Sequence, residues 1–348
     1  MKPAPFDYVR VDRIEDAVRA LADAGGDAKI LAGGQSLVPL MALRIARPSL
    51  LVDINRIPGL SGISRDGGAV RVGALTRHDE LARQRDHPLL AEAASWIGHT
   101  AIRSRGTVGG SVAHADPAAE LPVAAAALEA VVQASGASSG PGASSGPGAS
   151  SSPGTGSGPD PGSSRGAGAS SGPGASSSPD PGSSLGAGAG SGPGASGPAA
   201  GASRDIAAAD LFASAFETVL ADDEMITSVT FPVPQRWGFA ELARRRGDFG
   251  LVTVIAAEVD DRIRIAVGGT GGIPYRAAGA EAVLAAAVAP GDPVPPAVID
   301  RAAAAAADGA PASGDLHATA DFRRAMTAEF TRRALTMLSG GQVTGAAR

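Results

Sequence analysis

A tract made almost entirely of glycine, serine, proline and alanine runs from residue 134 to residue 203 and interrupts an otherwise ordinary sequence. Its 70 residues hold only four large or charged side chains, Asp160, Arg165, Asp180 and Leu185. Such a composition cannot bury enough apolar surface to offset the entropy of ordering the chain. We therefore predict a disordered insert over 134–203 in a surface turn, where added length costs little.

Hydrophobic periodicity in the two flanks predicts an α+β protein. Before the insert, helices are expected at 14–24, 37–46, 76–85, 89–97 and 122–128, and strands at 29–32, 50–54, 69–73 and 130–133. After it, a helix is expected at 206–216, strands at 225–231, 239–245, 251–259 and 262–267, and helices at 279–288, 296–307 and 320–338. The last three strands form a predicted three-stranded meander backed by helices.

The composition excludes several classes of protein. A net charge of −5 argues against nucleic acid as a partner. No apolar run approaches the length of a membrane span, and the start lacks the apolar core of a signal peptide, so we expect a cytoplasmic protein. The chain has no cysteine, and its five histidines lack metal-ligand spacing. Any redox chemistry would therefore need an organic cofactor.

The first chemically informative stretch is Ala-Gly-Gly-Gln-Ser-Leu at 32–37, between a predicted strand and a predicted helix. Glycines let successive backbone amides point at one spot, which suits a pyrophosphate. A plain strand-to-helix turn explains the same residues equally well. The spacing is neither G-x-G-x-x-G nor a P-loop, so a Rossmann fold is not indicated.

A second stretch, residues 102–122, repeats these ingredients. Hydroxyl side chains at Thr107 and Ser111 flank Gly109-Gly110, and polar His114, Asp116 and Glu120 follow. Two anion-binding loops far apart in sequence predict one ligand with two phosphates, held between subdomains.

These residues resemble the FAD-binding (medium) subunit of the molybdenum hydroxylases, the group of carbon monoxide dehydrogenase and xanthine dehydrogenase. The stretches that carry the resemblance are residues 2–6, 32–41, 47–48, 52–55, 107–111, 115–122, 246–249 and 312–317. They occur in order along both flanks and omit only the insert. Glu241 stands where the family often carries lysine.

The resemblance implies a two-part FAD-binding domain of the p-cresol methylhydroxylase and vanillyl-alcohol oxidase type, followed by a C-terminal α+β domain. We place the first FAD-binding subdomain at 1–57 and the second at 58–222, interrupted by the insert. The C-terminal domain would occupy 223–340.

The resemblance also implies which residues bind noncovalent FAD. Residues near the pyrophosphate would be Ala32, Gly33, Gly34, Gln35, Ser36, Leu37, Thr107, Val108, Gly109, Gly110 and Ser111. Those near the ribityl chain, ribose or adenine would be His114, Asp116 and Glu120. Ile102 would pack near the flavin ring, and Asp248, with Arg246, would face the site from the C-terminal domain. No catalytic side chain and no metal ligand is expected on this chain.

The implied function is electron transfer within a molybdenum-containing dehydrogenase. A large subunit would carry the molybdenum cofactor, and a small subunit would carry [2Fe–2S] clusters. This chain's FAD would pass electrons to NAD, a quinone or another acceptor. Two alternatives stay open: an independent flavin oxidoreductase acting directly on a small organic substrate, and a scaffold that kept the fold but lost FAD.

Overall fold

The computed structural model describes residues 2–137 and 202–340. The predicted insert, apart from its two ends, lies outside the described residues. None of the helices in the described part of the chain is both long and apolar enough to cross a membrane.

The first group of elements is a three-stranded parallel sheet with two helices. Its members are β1 (Asp7–Arg10), α1 (Ile14–Asp23), β2 (Ala28–Leu31), α2 (Leu37–Ala42) and β3 (Leu50–Asp53). The strand order is β1-β3-β2, so Val52 of the central strand pairs with both Val9 and Ile30. The predicted elements of this unit are present, but β1 is an additional strand, which sequence periodicity missed because it is mostly exposed.

The second group contains a five-stranded antiparallel sheet. Its members are β4 (Ile63–Asp66), β5 (Ala69–Gly73), α3 (His78–Arg83), α4 (Pro88–Trp96), α5 (Thr100–Arg103), α6 (Val108–His114), α7 (Glu120–Leu128), β6 (Val131–Gly136), β7 (Ala202–Ala207), α8 (Ala208–Leu211), β8 (Phe212–Ser214), β9 (Glu217–Thr218) and β10 (Met225–Pro232). The large sheet has the order β4-β5-β10-β6-β7, and β8 and β9 form a separate hairpin. Every residue of α7 is buried, which places this helix at the centre of the molecule's packing.

Three predictions in this group need correction. Residues 134–136 continue β6 and pair with residues 202–204 of β7, although the insert was predicted to span 134–203. The helix predicted at 206–216 is wrong, since only Ala208–Leu211 is helical between the strands β7 and β8. Residues 134–136 and 202–207 are decided by their pairing with each other across the insert, and residues 212–218 by a local hairpin, so the side-chain pattern does not set the conformation.

The strand β10 was predicted to open the C-terminal domain at 223. Instead β10 lies between β5 and β6 in the large sheet and pairs antiparallel with both. Its residues from Met225 to Val229 are all buried, as expected for a central strand.

The third group is a meander with helices on it. Its members are β11 (Arg236–Ala243), β12 (Gly250–Val259), β13 (Arg262–Gly268), β14 (Tyr275–Arg276), α9 (Ala278–Ala285), α10 (Pro296–Asp308) and α11 (Ala320–Ser339). The sheet order is β11-β12-β13-β14, so the predicted three strands gain a short fourth. A Cβ on Gly238 would lie 1.9 Å from the Ala334 carbonyl oxygen, and this glycine therefore lets α11 lie directly on β11. The predicted α+β class is confirmed.

Candidate functional site

The first glycine loop connects β2 to α2. Gly34 adopts φ +70°, a left-handed conformation that favours glycine. Within the described parts of the chain, none of the backbone amides of residues 33–37 donates a hydrogen bond. Gly33 is buried, while residues 34–37 are partly or fully exposed, so these amides are accessible to a ligand. Five consecutive unpaired donors that lead into the N-terminus of a helix are what an anion site needs.

The glycine loop at 33–37 lies in close contact with the second stretch, residues 102–122. A Cβ on Gly33 would lie 2.2 Å from the Arg105 carbonyl oxygen and 3.0 Å from the Gly106 Cα. Only glycine permits this approach. The structure thus brings the two stretches, some 70 residues apart in sequence, into direct backbone contact.

Hydrogen bonds from two polar side chains, Asn55 and Arg77, stabilise this contact. Asn55, just after β3, donates its side-chain amide to the carbonyl oxygens of Ala32 at 2.9 Å and Leu31 at 3.2 Å. Arg77 donates to Asn55 Oδ1 at 2.9 Å and also to the Arg105 carbonyl oxygen. Burial, with a smaller contribution from the charge of Arg105, lowers the pKa of Arg77.

Sequence reasoning did not assign roles to Asn55 and Arg77. A polar residue at the carboxyl end of a buried parallel strand is a usable signal for Asn55, because ligands bind at such strand ends. No local signal marks Arg77, since its two acceptors come from distant parts of the chain.

Replacing Asn55 with alanine is expected to weaken cofactor binding at the loop about tenfold. The loop would lose two anchoring hydrogen bonds and would have to be ordered by the ligand. The measurement is a fluorescence-quenching titration of the variant with FAD, the cofactor that the sequence resemblance implies. The matched control is Gln84→Ala, whose side-chain amide instead donates to the His87 carbonyl oxygen at 2.7 Å. Equal affinities for wild type and Asn55→Ala would contradict this role.

The second glycine pair is not a second loop of free amides, and this prediction is corrected. Thr107 is the N-cap of α6, and its Oγ1 accepts from the Gly110 amide at 3.3 Å. The amides of Val108 and Gly109 donate to the carbonyl oxygens of Thr76 at 3.0 Å and Ala74 at 2.8 Å. These amides hold α6 against the chain that leaves β5.

A buried histidine lies behind the same contact. Neither ring nitrogen of His78 makes a hydrogen bond of normal geometry within the described residues. Burial outweighs a weak contact with the Thr107 backbone and lowers the pKa of His78 to about 4. The ring is therefore neutral at pH 7 and packs against Gly106, where a Cβ would lie 2.7 Å from Nδ1.

The remaining predicted residues lie along α5, α6 and the turn between β11 and β12. Ile102 of α5 is exposed, and a Cβ on Gly98 would lie 3.1 Å from its Cβ, while Asp248 is exposed in the turn. That turn reaches α5, since a Cβ on Gly247 would lie 2.8 Å from the His99 ring. His114 and Asp116 lie at the far end of α6.

Two buried carboxyl groups influence each other between α7 and the C-terminal sheet. Burial, with smaller contributions from the charges of Glu241 and Asp116, raises the pKa of Glu120 to about 8. Burial also raises the pKa of Glu241 to about 7, against a 3.2 Å hydrogen bond from Thr253 that lowers it. The other carboxyl oxygen of Glu241, Oε1, is buried without a partner among the described residues. The described residues contain no group of three or more His, Cys, Asp and Glu that could hold a metal ion.

Two family descriptions match the chain on either side of the insert. Residues 4–141 match "FAD binding domain in molybdopterin dehydrogenase". Residues 237–338 match "CO dehydrogenase flavoprotein C-terminal domain". Together they follow the predicted arrangement of an FAD-binding domain before a C-terminal domain.

Comparison with individual proteins agrees with these two family descriptions. The nicotine 6-hydroxylase medium subunit of Paenarthrobacter nicotinovorans is 33% identical over 96% of this chain and 98% of its own length. The 6-hydroxypseudooxynicotine dehydrogenase complex subunit alpha of the same organism is 59% identical over 138 residues, and the match spans about half of that protein (47%). The carbon monoxide dehydrogenase medium chain of Hydrogenophaga pseudoflava is 46% identical over 37% of this chain and 47% of its own.

Solved structures share this fold. Carbon monoxide dehydrogenase from Hydrogenophaga pseudoflava has a chain with TM-score 0.72 and 28% identity, covering 97% of this chain and 98% of that one. Quinoline 2-oxidoreductase from Pseudomonas putida 86 has one with TM-score 0.74 and 27% identity, covering 98% and 99%. The predicted fold and the prediction of an oxidoreductase subunit are confirmed. This chain belongs to the family of FAD-binding medium subunits of the molybdenum hydroxylases.

Proposed function

We propose that this chain binds FAD noncovalently and transfers electrons from iron–sulfur clusters of a partner subunit to an acceptor such as NAD or a quinone. The observation that carries the proposal is the row of five unpaired amides at residues 33–37. The family membership supplies the identity of the ligand, and the loop supplies the chemistry that holds its pyrophosphate.

The residues present fit a phosphate-bearing dinucleotide. Gly33 and Gly34 leave the backbone bare where a side chain would clash or be strained. The amides of Gln35, Ser36 and Leu37 would donate to phosphate oxygens alongside them. Bound FAD would supply both one-electron and two-electron chemistry, which joins a cluster to a two-electron acceptor.

The chain's own residues position and enclose the cofactor. Asn55 and Arg77 hold the loop in place, and the N-terminal amides of α6 fix that helix beside it. Gly110 and Ser111 present the outward side of α6 to the ligand, while Thr107 and Val108 anchor it. Ile102 would pack near the ring system. Asp248 would approach from the C-terminal domain, and His114, Asp116 and Glu120 would approach from beyond α6.

The partners follow from the same family membership. We propose a large molybdenum-binding subunit and a small iron–sulfur subunit carrying [2Fe–2S] clusters. This chain contributes no cysteine to such clusters, which supports placing them on another chain.

Reconstitution with FAD tests the proposal directly. We expect the purified chain to show flavin absorbance at about one FAD per chain, and heat denaturation to release it into the supernatant. Because the loop recognises a pyrophosphate, excess inorganic pyrophosphate should weaken FAD binding more than the same concentration of orthophosphate. Absence of flavin after incubation with excess FAD would overturn the proposed function.

A further inference from the structure

The hairpin of β8 and β9 carries a phenylalanine in an unusual conformation. Ser214 Oγ donates to Glu217 Oε2 at 2.7 Å and closes the hairpin, whose tip is Ala215-Phe216. Phe216 has φ +63°, a region that glycine and asparagine adopt far more readily than bulky residues.

The tip is fixed on the end of α6. The Phe216 amide donates to the Ala115 carbonyl oxygen at 2.9 Å, and Ala115 is itself left-handed at φ +50°. This places the Phe216 ring beside the His114 ring, with centroids 5.2 Å apart and planes tilted by 48°. Two strained residues thus meet to hold two rings together.

Burial does not compensate this strain. Phe216 is 58% exposed, so its ring gains little from packing within the described residues. Among the non-glycine residues described with positive φ, it is the one large apolar residue. Strain that packing does not offset is a signal of a functional site.

The second ring of this pair belongs to His114. His114 is half-buried, and burial lowers its pKa although the charge of Asp116 acts in the opposite direction. The lowered pKa favours the uncharged imidazole, which offers an aromatic edge and face. Phe216 and His114 together present a partly exposed pair of rings at the C-terminal end of α6.

We propose that Phe216 and His114 form a stacking platform for a planar heteroaromatic ring. The inference rests on the proposed function, because α6 begins two residues after Gly106, which lies against Gly33 of the glycine loop, and its seven residues span about 10 Å to the platform. The ring belongs either to the bound FAD or to the electron acceptor. Stacking of this kind changes affinity about tenfold or more.

Variants of Phe216 distinguish an effect of losing the ring from an effect on the stability of the fold. Phe216→Gly removes the ring and also relieves the positive φ, so its melting temperature should equal or exceed that of the wild type. Phe216→Tyr keeps a stacking ring and should behave as wild type. Phe322→Ala, which removes an exposed phenylalanine of α11, is the matched control.

The first arm of the experiment titrates the apo form of the full chain with FAD and, separately, with FMN. A tenfold loss of FAD affinity in Phe216→Gly, restored in Phe216→Tyr, supports a ring of FAD as the occupant. If FMN affinity is unchanged in that variant, the ring is the adenine; if it falls equally, the ring is the isoalloxazine.

The second arm reduces the FAD-loaded chain and follows its reoxidation by menadione and by NAD. Unchanged FAD affinity with a tenfold higher half-saturating acceptor concentration in Phe216→Gly supports the acceptor ring. If neither FAD affinity nor acceptor saturation changes, the platform is overturned while FAD binding by the wild type still stands. Failure of the wild type to bind FAD would instead overturn the proposed function.

Discussion

A Gly33→Ala variant is expected to lose FAD binding altogether and to be destabilised by about 3 kcal/mol or more. The added Cβ would lie 2.2 Å from the Arg105 carbonyl oxygen, so backbone must move against backbone. Because the clashing atoms belong to the backbone, no side-chain rotation relieves the clash, and either the glycine loop or residues 105–106 must shift out of the close contact. Urea denaturation and FAD titration of the same preparation measure the two effects.

Gly68→Ala is the matched control for that experiment. A Cβ on Gly68 meets no heavy atom of the described residues within 4 Å. The substitution is the same, yet stability should stay within about 0.5 kcal/mol of wild type and FAD affinity should not change. Wild-type FAD affinity in Gly33→Ala would refute the close approach between the two stretches.

A Glu241→Gln variant is expected to be more stable than the wild type at pH 9 by about 2–3 kcal/mol and nearly equal to it at pH 5. Unfolded glutamates ionise near pH 4.5, whereas the folded pKa values are about 7 for Glu241 and about 8 for Glu120. Because the folded pKa is raised, wild-type stability falls as pH rises from about 4.5 to about 8. Glutamine keeps the shape and removes one of the two charges, which also lets Glu120 ionise more easily.

Urea denaturation at pH 5, 7 and 9 measures this dependence. Glu129→Gln is the matched control, because hydrogen bonds and charges from Arg264 and Arg276 outweigh burial and lower the pKa of Glu129. Its carboxylate is half-exposed, so a small loss of stability at pH 7 and 9 is expected instead of a gain. A Glu241→Gln effect that is the same at all three pH values would refute the raised carboxyl pKa values.

Much of the fold was predictable because local pattern and local structure agree there. The helix α1 buries Ala17, Val18 and Leu21 at helical spacing, and it ends where the glycine pair at 25–26 begins. The meander turn at Asp260-Asp261 has both residues left-handed, as a two-residue hairpin requires. The glycine loop was likewise identifiable, since its chemistry resides in its own backbone.

Other elements depended on partners that no local pattern reveals. Residues 134–136 are Ala, Ser and Gly, which carry no strand signal, yet they pair with residues 202–204. The helix predicted at 206–216 gave way to strands because Ile206 pairs with Val132 and Phe212 with Thr218. Backbone hydrogen bonds from β6, and those within the β8–β9 hairpin, outweigh a weak helical preference.

The amino-acid sequence by itself determined the two flanks, the family resemblance and the position of the glycine loop at 33–37, because periodicity, glycine placement and motif order are local properties. Only the tertiary structure decided that Gly109-Gly110 anchors a helix, that Asn55 and Arg77 hold the loop, and that Glu120 faces Glu241. Each of these depends on which distant group reaches a given donor, acceptor or carboxyl. Burial and hydrogen-bond partners exist only once the chain has folded, and they set both the availability of an amide and the pKa of an acid.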